Sequence, residues 1–158
     1  MRLILILSLA ALAGCTTPSL QGGLGTTPLS PMAAPEPTFN PAPPPPPATA
    51  VTVEQFDTTT QEDRAAAVAT SASTGDQALG TTIASLGSPA EPGIWLKTPL
   101  VKALTPGRVT YQGKTINIEL RPSGGAAGSG SQISLAAMRL IGAPLTGLPE
   151  LTVFAIGS

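Results

Sequence analysis

The sequence predicts a small, mainly β domain, barrel-like, of five to six strands with one or two short helices. Three observations carry that expectation. Short apolar runs alternate with polar residues at period two from Leu79 onward, clearest in Thr115-Ile116-Asn117-Ile118-Glu119-Leu120. Turn residues punctuate those runs at Gly87-Ser88-Pro89, Pro92-Gly93 and Gln112-Gly113. Everything before residue 53 is either an apolar leader or a proline-rich stretch that cannot enter a sheet interior. Residues 1–14 read as a signal peptide, 15–52 as a disordered proline-rich tether, 53–78 as a short helix with a linker, and 79–158 as the β domain.

The leader has one base, Arg2, followed by an apolar run from Leu3 to Ala13 interrupted only by Ser8. It is too short for a permanent membrane span and has the layout of a secretory signal. Leu12-Ala13-Gly14-Cys15 contains the only cysteine of the chain and resembles the bacterial lipobox. That resemblance implies cleavage before Cys15 and acylation of its thiol; the alternative is a plain signal with an incidental cysteine. Thr16 after the cysteine fits sorting to the outer membrane, facing the periplasm, because the usual retention residue there is aspartate.

From Thr16 to Thr52 the chain is dominated by Pro, Ala, Thr, Ser and Gly, stiffest at Pro41-Ala42-Pro43-Pro44-Pro45-Pro46-Pro47. Polyproline II is expected there, about 3.1 Å per residue, flanked by coil. The run reads as a tether, with a PxxP-type ligand for a partner domain as the rival. Between Val53 and Ser73 a helix of roughly three turns is expected. Its cap is placed at Thr59 with Glu62 and Asp63 in the first turn, and its scarcity of large apolar residues predicts loose packing.

The strands follow in order. Thr81–Leu86 is the first and Ile94–Thr98 the second, with Pro99 placing the end of the second at an edge or bulge. Gly107–Tyr111 and Thr115–Leu120 make a hairpin about Gln112-Gly113, with Ile116, Ile118 and Leu120 on its one buried face. Glu119 then points to solvent. A Gly/Ser loop covers Ser123–Ser131, and Ser134 caps a helix over Leu135–Ile141 that Gly142 and Pro144 stop. Pro149–Ile156 closes the chain as a final strand, central to the sheet. About eighty residues hold one small core.

Composition removes much chemistry. The chain has no histidine and a net charge of −1, so His- or Cys-based nucleophilic mechanisms and the usual zinc ligands are excluded, with Cys15 committed to lipid. No cofactor, no metal and no nucleic-acid partner are expected. Lys97 lies two residues from Trp95, so both share a strand face. Two readings stand: an aromatic and a cation forming a contact for a sugar or anionic polymer, or a core Trp95 past which Lys97 snorkels.

Two resemblances bear on function. Gly113–Leu120 followed by a loop and Ile133-Ser134-Leu135-Ala136-Ala137 is similar to the end of a double-psi β-barrel of the rare-lipoprotein-A type of lytic transglycosylase. In that family the strand ends Asn-Asp-Arg-Gly-Pro. Here Arg121-Pro122-Ser123-Gly124 stands in its place, and Pro122 falls on the catalytic aspartate; proline cannot protonate a glycosidic oxygen. Over more of the chain, Leu79–Gly87, Gly93–Val101 and Ser134–Arg139 resemble a family of small alphaproteobacterial lipoproteins often labelled D-galactarate dehydratase. That activity is not carried over, because the folded part has no histidine, no thiol and few acids. The expected function is a non-enzymatic lipid-anchored envelope protein whose β domain binds peptidoglycan or an envelope protein. The alternative is a glycan-cleaving enzyme whose acid is displaced or lost.

Overall fold

The computed structural model describes residues 41–69 and 75–157. The signal peptide, Cys15 and the tether up to residue 40 lie outside the described residues. Within them are α1 (Val53–Phe56), α2 (Gln61–Val68), β1 (Gln77–Leu86), β2 (Trp95–Thr98), β3 (Thr105–Tyr111), β4 (Lys114–Pro122), β5 (Ser131–Ile133), α3 (Leu135–Ile141) and β6 (Glu150–Ala155). The six strands close into a barrel in the order β1-β5-β2-β4-β3-β6.

The pairing has an internal symmetry. β1·β5 and β2·β4 are parallel, while β2·β5, β3·β4, β3·β6 and β1·β6 are antiparallel. Exchanging β1 with β4, β2 with β5 and β3 with β6 maps this set onto itself, strand direction included. The barrel is thus two interlocked three-strand halves, each lending its first strand to a parallel pair with the other half's second.

Local chemistry sets the elements. Gln112 and Gly113 have φ of 46° and 80°, the left-handed pair that a two-residue hairpin with the native strand twist requires. Tyr111 therefore faces Lys114, and Val109 faces Ile116. In β1 the register shifts between Ala78 and Gly80, leaving Leu79 as the extra residue of a bulge. Ser134 accepts from the Ala137 amide to start α3, and Gly142 ends it at φ 72°.

Alternation sends Leu96, Val109, Ile116, Ile118, Leu120, Ile133, Leu151 and Val153 inward, and α3 adds Ala137, Met138 and Ile141. All are at most 5% exposed. Gly107 is required where β3 crosses over β4. A Cβ there would overlap Cγ and Cδ1 of Leu120 and approach the Phe154 carbonyl oxygen at 2.8 Å.

Several expectations need correction. The outer face of the hairpin is only partly solvated: Asn117 Nδ2 donates to the carbonyls of Ala66 in α2 and Ala69 at its end, at 3.3 and 3.1 Å, and Thr110 and Thr115 pair their hydroxyls at 2.9 Å. β2 is flanked on both sides through Leu96 and Lys97, whereas its last residue Thr98, before Pro99, pairs with β4 alone. Strand β5 was not expected; only its first residue, Ser131, falls in the segment read as loop. The expected helix of roughly three turns is α2, eight residues long, and a separate one-turn helix, α1, precedes it. Their break falls at Asp57, whose carboxylate, 4% exposed, binds Arg64 and Arg139. Thr59 joins that cluster through Asp57 and the Arg64 Nε, so the capping box forms one residue later, between Thr60 and Asp63. β6 is flanked by β1 and β3, as an interior strand should be.

Gly107→Ala should destabilise the barrel by about 1–3 kcal/mol, the usual cost of forcing atoms into a filled core. A urea midpoint lowered at unchanged slope checks this.

Candidate functional site

The parallel register of β2 on β4 places Trp95 beside Glu119, Leu96 beside Leu120 and Lys97 beside Arg121. Leu96 and Leu120 point into the barrel, so Trp95, Lys97, Glu119 and Arg121 stand on its outer wall. Trp95 is nevertheless fully buried. It lies outside the main core and is covered by the segment leading from β1 to β2. A Cβ on Gly87 would overlap the far end of its indole, and its Nε1 donates to the Glu91 carbonyl at 3.3 Å.

Two cations roof the ring. Lys97 Nζ sits 4.9 Å and Arg121 Cζ 5.3 Å from the ring centroid, within cation–π range. Glu91 joins them, with Oε2 2.7 Å from Lys97 Nζ and Oε1 2.7 Å from Arg121 Nη1. Arg121 Nε also binds Glu119 Oε1. These side chains are 19–34% exposed. Single pairs at that exposure contribute ~0–1 kcal/mol, so the network acts by fixing geometry more than by strength.

Below the ring, Ser134 ties the strand to the helix. Its Oγ accepts from the Trp95 amide at 3.1 Å and the Ala137 amide at 3.3 Å, while its own amide donates to the Trp95 carbonyl at 3.0 Å. Ser134 is an N-cap and a strand anchor in one residue.

Beside Lys97 the same wall opens into a groove of about 650 Å³. Ile83 and Ser85 of β1, Gln132 of β5 and Lys97 of β2 form its floor. The Gly/Ser loop with Ser123 and Ser129 forms one bank, and Leu148 stands at its rim. Ile83 and Leu148 are 56% and 68% exposed, large apolar groups left open to water. Its size falls in the range of small-ligand clefts, roughly 300–1,000 Å³. The wall offers hydroxyls, an amide, one ammonium and two apolar contacts. Glu91 and Glu119 are not among its lining residues.

The sequence-derived candidates separate here. Trp95, fully buried, presents no ring face to a ligand, so the sugar-platform reading fails for it in this conformation. Lys97 reaches both the ring and the groove. Glu119, expected in solvent, is held over the wall by Arg121. Glu91 was missed, since a glutamate in a Pro/Gly turn carries no periodic signal. Arg121 could have been found, because it continues the outward alternation of Asn117 and Glu119. Cys15 lies outside the described residues. Among those residues no three metal-ligating side chains gather. No family model, curated protein or solved structure matches this chain.

Ser134→Ala would leave the Trp95 and Ala137 amides without their shared acceptor in a buried place. The expected loss is about 1–3 kcal/mol, read as a lower urea midpoint together with a red-shifted Trp95 emission.

Proposed function

We propose that this chain is a lipid-anchored envelope protein, acylated at Cys15 and facing the periplasm from the outer membrane. Its barrel binds a cell-wall polymer without cleaving it. The observation that carries the reading is the groove beside Lys97. Hydroxyls, an amide and one cation, with exposed Ile83 and Leu148 alongside, suit a ligand that mixes sugar hydroxyls, carboxylates and short apolar side chains. The glycan and peptide stems of peptidoglycan have that chemistry. A membrane envelope protein presenting an acidic, partly apolar loop is the other partner class.

The interlocked, pseudo-symmetric strand pairing supports a double-psi type of barrel, and with it the distant kinship to the transglycosylase family. By that resemblance Pro122, which ends β4 and pairs with Thr98, falls where the family carries its acid. The nearest carboxylates, Glu91 and Glu119, are tied to Lys97 and Arg121 and do not line the groove. A glycan-cleaving mechanism needs a carboxyl within reach of the scissile oxygen. That favours binding over cleavage.

The test uses the full chain carrying Cys15→Ser with purified peptidoglycan sacculi. The protein should co-sediment and release no soluble fragments. Lys97→Ala should weaken binding about tenfold, the loss expected when one charge-assisted hydrogen bond of ~1.5 kcal/mol is removed. Fragment release that Glu119→Gln abolishes would establish the enzyme instead, and failure to co-sediment would remove the cell wall as ligand.

A further inference from the structure

The proline run is in contact with the domain it was expected only to suspend. Across Pro41–Pro47 the residues are exposed except Pro43 and Pro46, which are half-buried. That spacing of three is the period of a polyproline II helix, so the run turns one edge to the domain and the others to water. Two further contacts fix it. Thr58 Oγ1 donates to the Pro44 carbonyl at 2.6 Å, and Pro43 Cδ stands on the side of Gly93 where a side chain would project. A Cβ on Gly93 would lie 3.6 Å from Pro43 Cδ and 3.8 Å from Trp95 Cδ1. Beyond the run, the Ala50 amide closes a turn on the Pro47 carbonyl at 2.9 Å.

From this we infer that the surface formed by Thr58 between α1 and α2, Gly93 and the edge of Trp95 is a docking surface for a polyproline II segment, and that residues Pro43–Pro46 of this same chain occupy it. The chemistry is that of proline-ligand recognition. A polyproline II strand makes no internal hydrogen bonds, so its carbonyls are open to outside donors, and Thr58 supplies one. Its pyrrolidine rings seek flat apolar faces next to aromatics. Gly93, at φ 98° and without a side chain, leaves such a face beside the indole edge of Trp95.

Occupancy in cis needs little intrinsic affinity, because a short connection holds the ligand at an effective concentration on the order of millimolar. Two consequences follow. Four prolines leave the free span of the tether, shortening its extended reach by about 12 Å. The chain also enters the domain at a fixed point, on the Trp95 wall, independent of what the groove binds.

Trp95 is the only tryptophan of the chain, so its fluorescence reports the docking. Acrylamide quenching of the full chain is compared for two double variants that lose equal numbers of prolines. Pro43→Ser/Pro46→Ser removes the inward edge, and Pro44→Ser/Pro45→Ser removes outward rings. The first should raise the quenching constant and red-shift the emission, Thr58→Val should do the same, and the second double should match the parent. Equal effects from the two doubles, or none from either, would overturn the inference. Barrel melting temperatures unchanged in all three variants would show that the readout is docking and not unfolding.

Discussion

Closure of the barrel depends on a strand of three residues. β5 runs parallel to β1, with Ser131 beside Ala84 and Ile133 beside Leu86, and antiparallel to β2, with Gln132 beside Lys97. Without it, β1 and β2 would be the edges of an open sheet, with a row of unpaired backbone groups on each. Short as it is, β5 is secured from both sides. Its inward Ser131 shares a 2.8 Å hydroxyl contact with Thr82 on the adjacent strand β1, and Ile133 gives its carbonyl to the Gly87 amide at 2.8 Å. Ser134, directly after it, binds Trp95 through both amide and side chain. The groove lies over this most thinly laced part of the wall, where few strand pairs and a glycine-rich loop leave room for a ligand.

A core of this size is marginal for a domain of about eighty residues, and the molecule adds a second layer outside the barrel. Arg108, 7% exposed, binds Asp76 and Asn117, and Asn117 in turn receives α2. Asp57 clamps the segment before the barrel to Arg139 on α3. Glu91, Lys97, Glu119 and Arg121 close over Trp95. On the strands, polar residues that alternation sends outward become attachment points for chain coming from elsewhere, and Arg139 on α3 serves the same purpose. Burial of Trp95 on the outer wall is the largest single product of that layer.

What could be read from the sequence was local. The alternation of β4, the Gln112-Gly113 turn and the Ser134 cap each rest on contacts within a few residues, and each appears where expected. β5 was hidden, because Ser131-Gln132-Ile133 is too short for a period and follows a run of glycines and serines. Its strand conformation comes from partners some forty-five residues upstream. Trp95 and Lys97 were rightly placed on one face, but which groups cover that face is decided by Glu91 and Arg121, brought in by a turn and by a parallel register that local pattern does not encode. The cap shifted from Thr59 to Thr60 for a similar reason: Asp57 finds Arg139, distant in sequence, and draws Thr59 with it.

Closure at β5 is the claim on which the groove, the Trp95 wall and the docked proline run all rest. Native-state hydrogen exchange at the Gly87 and Ser134 amides tests it most directly, since both donate across the β5 seam. A closed barrel requires these two amides to be protected to the level of β3 and β4, opening only with global unfolding. Exchange at loop rates there, with β3 and β4 still protected, would mean an open sheet and would contradict the account.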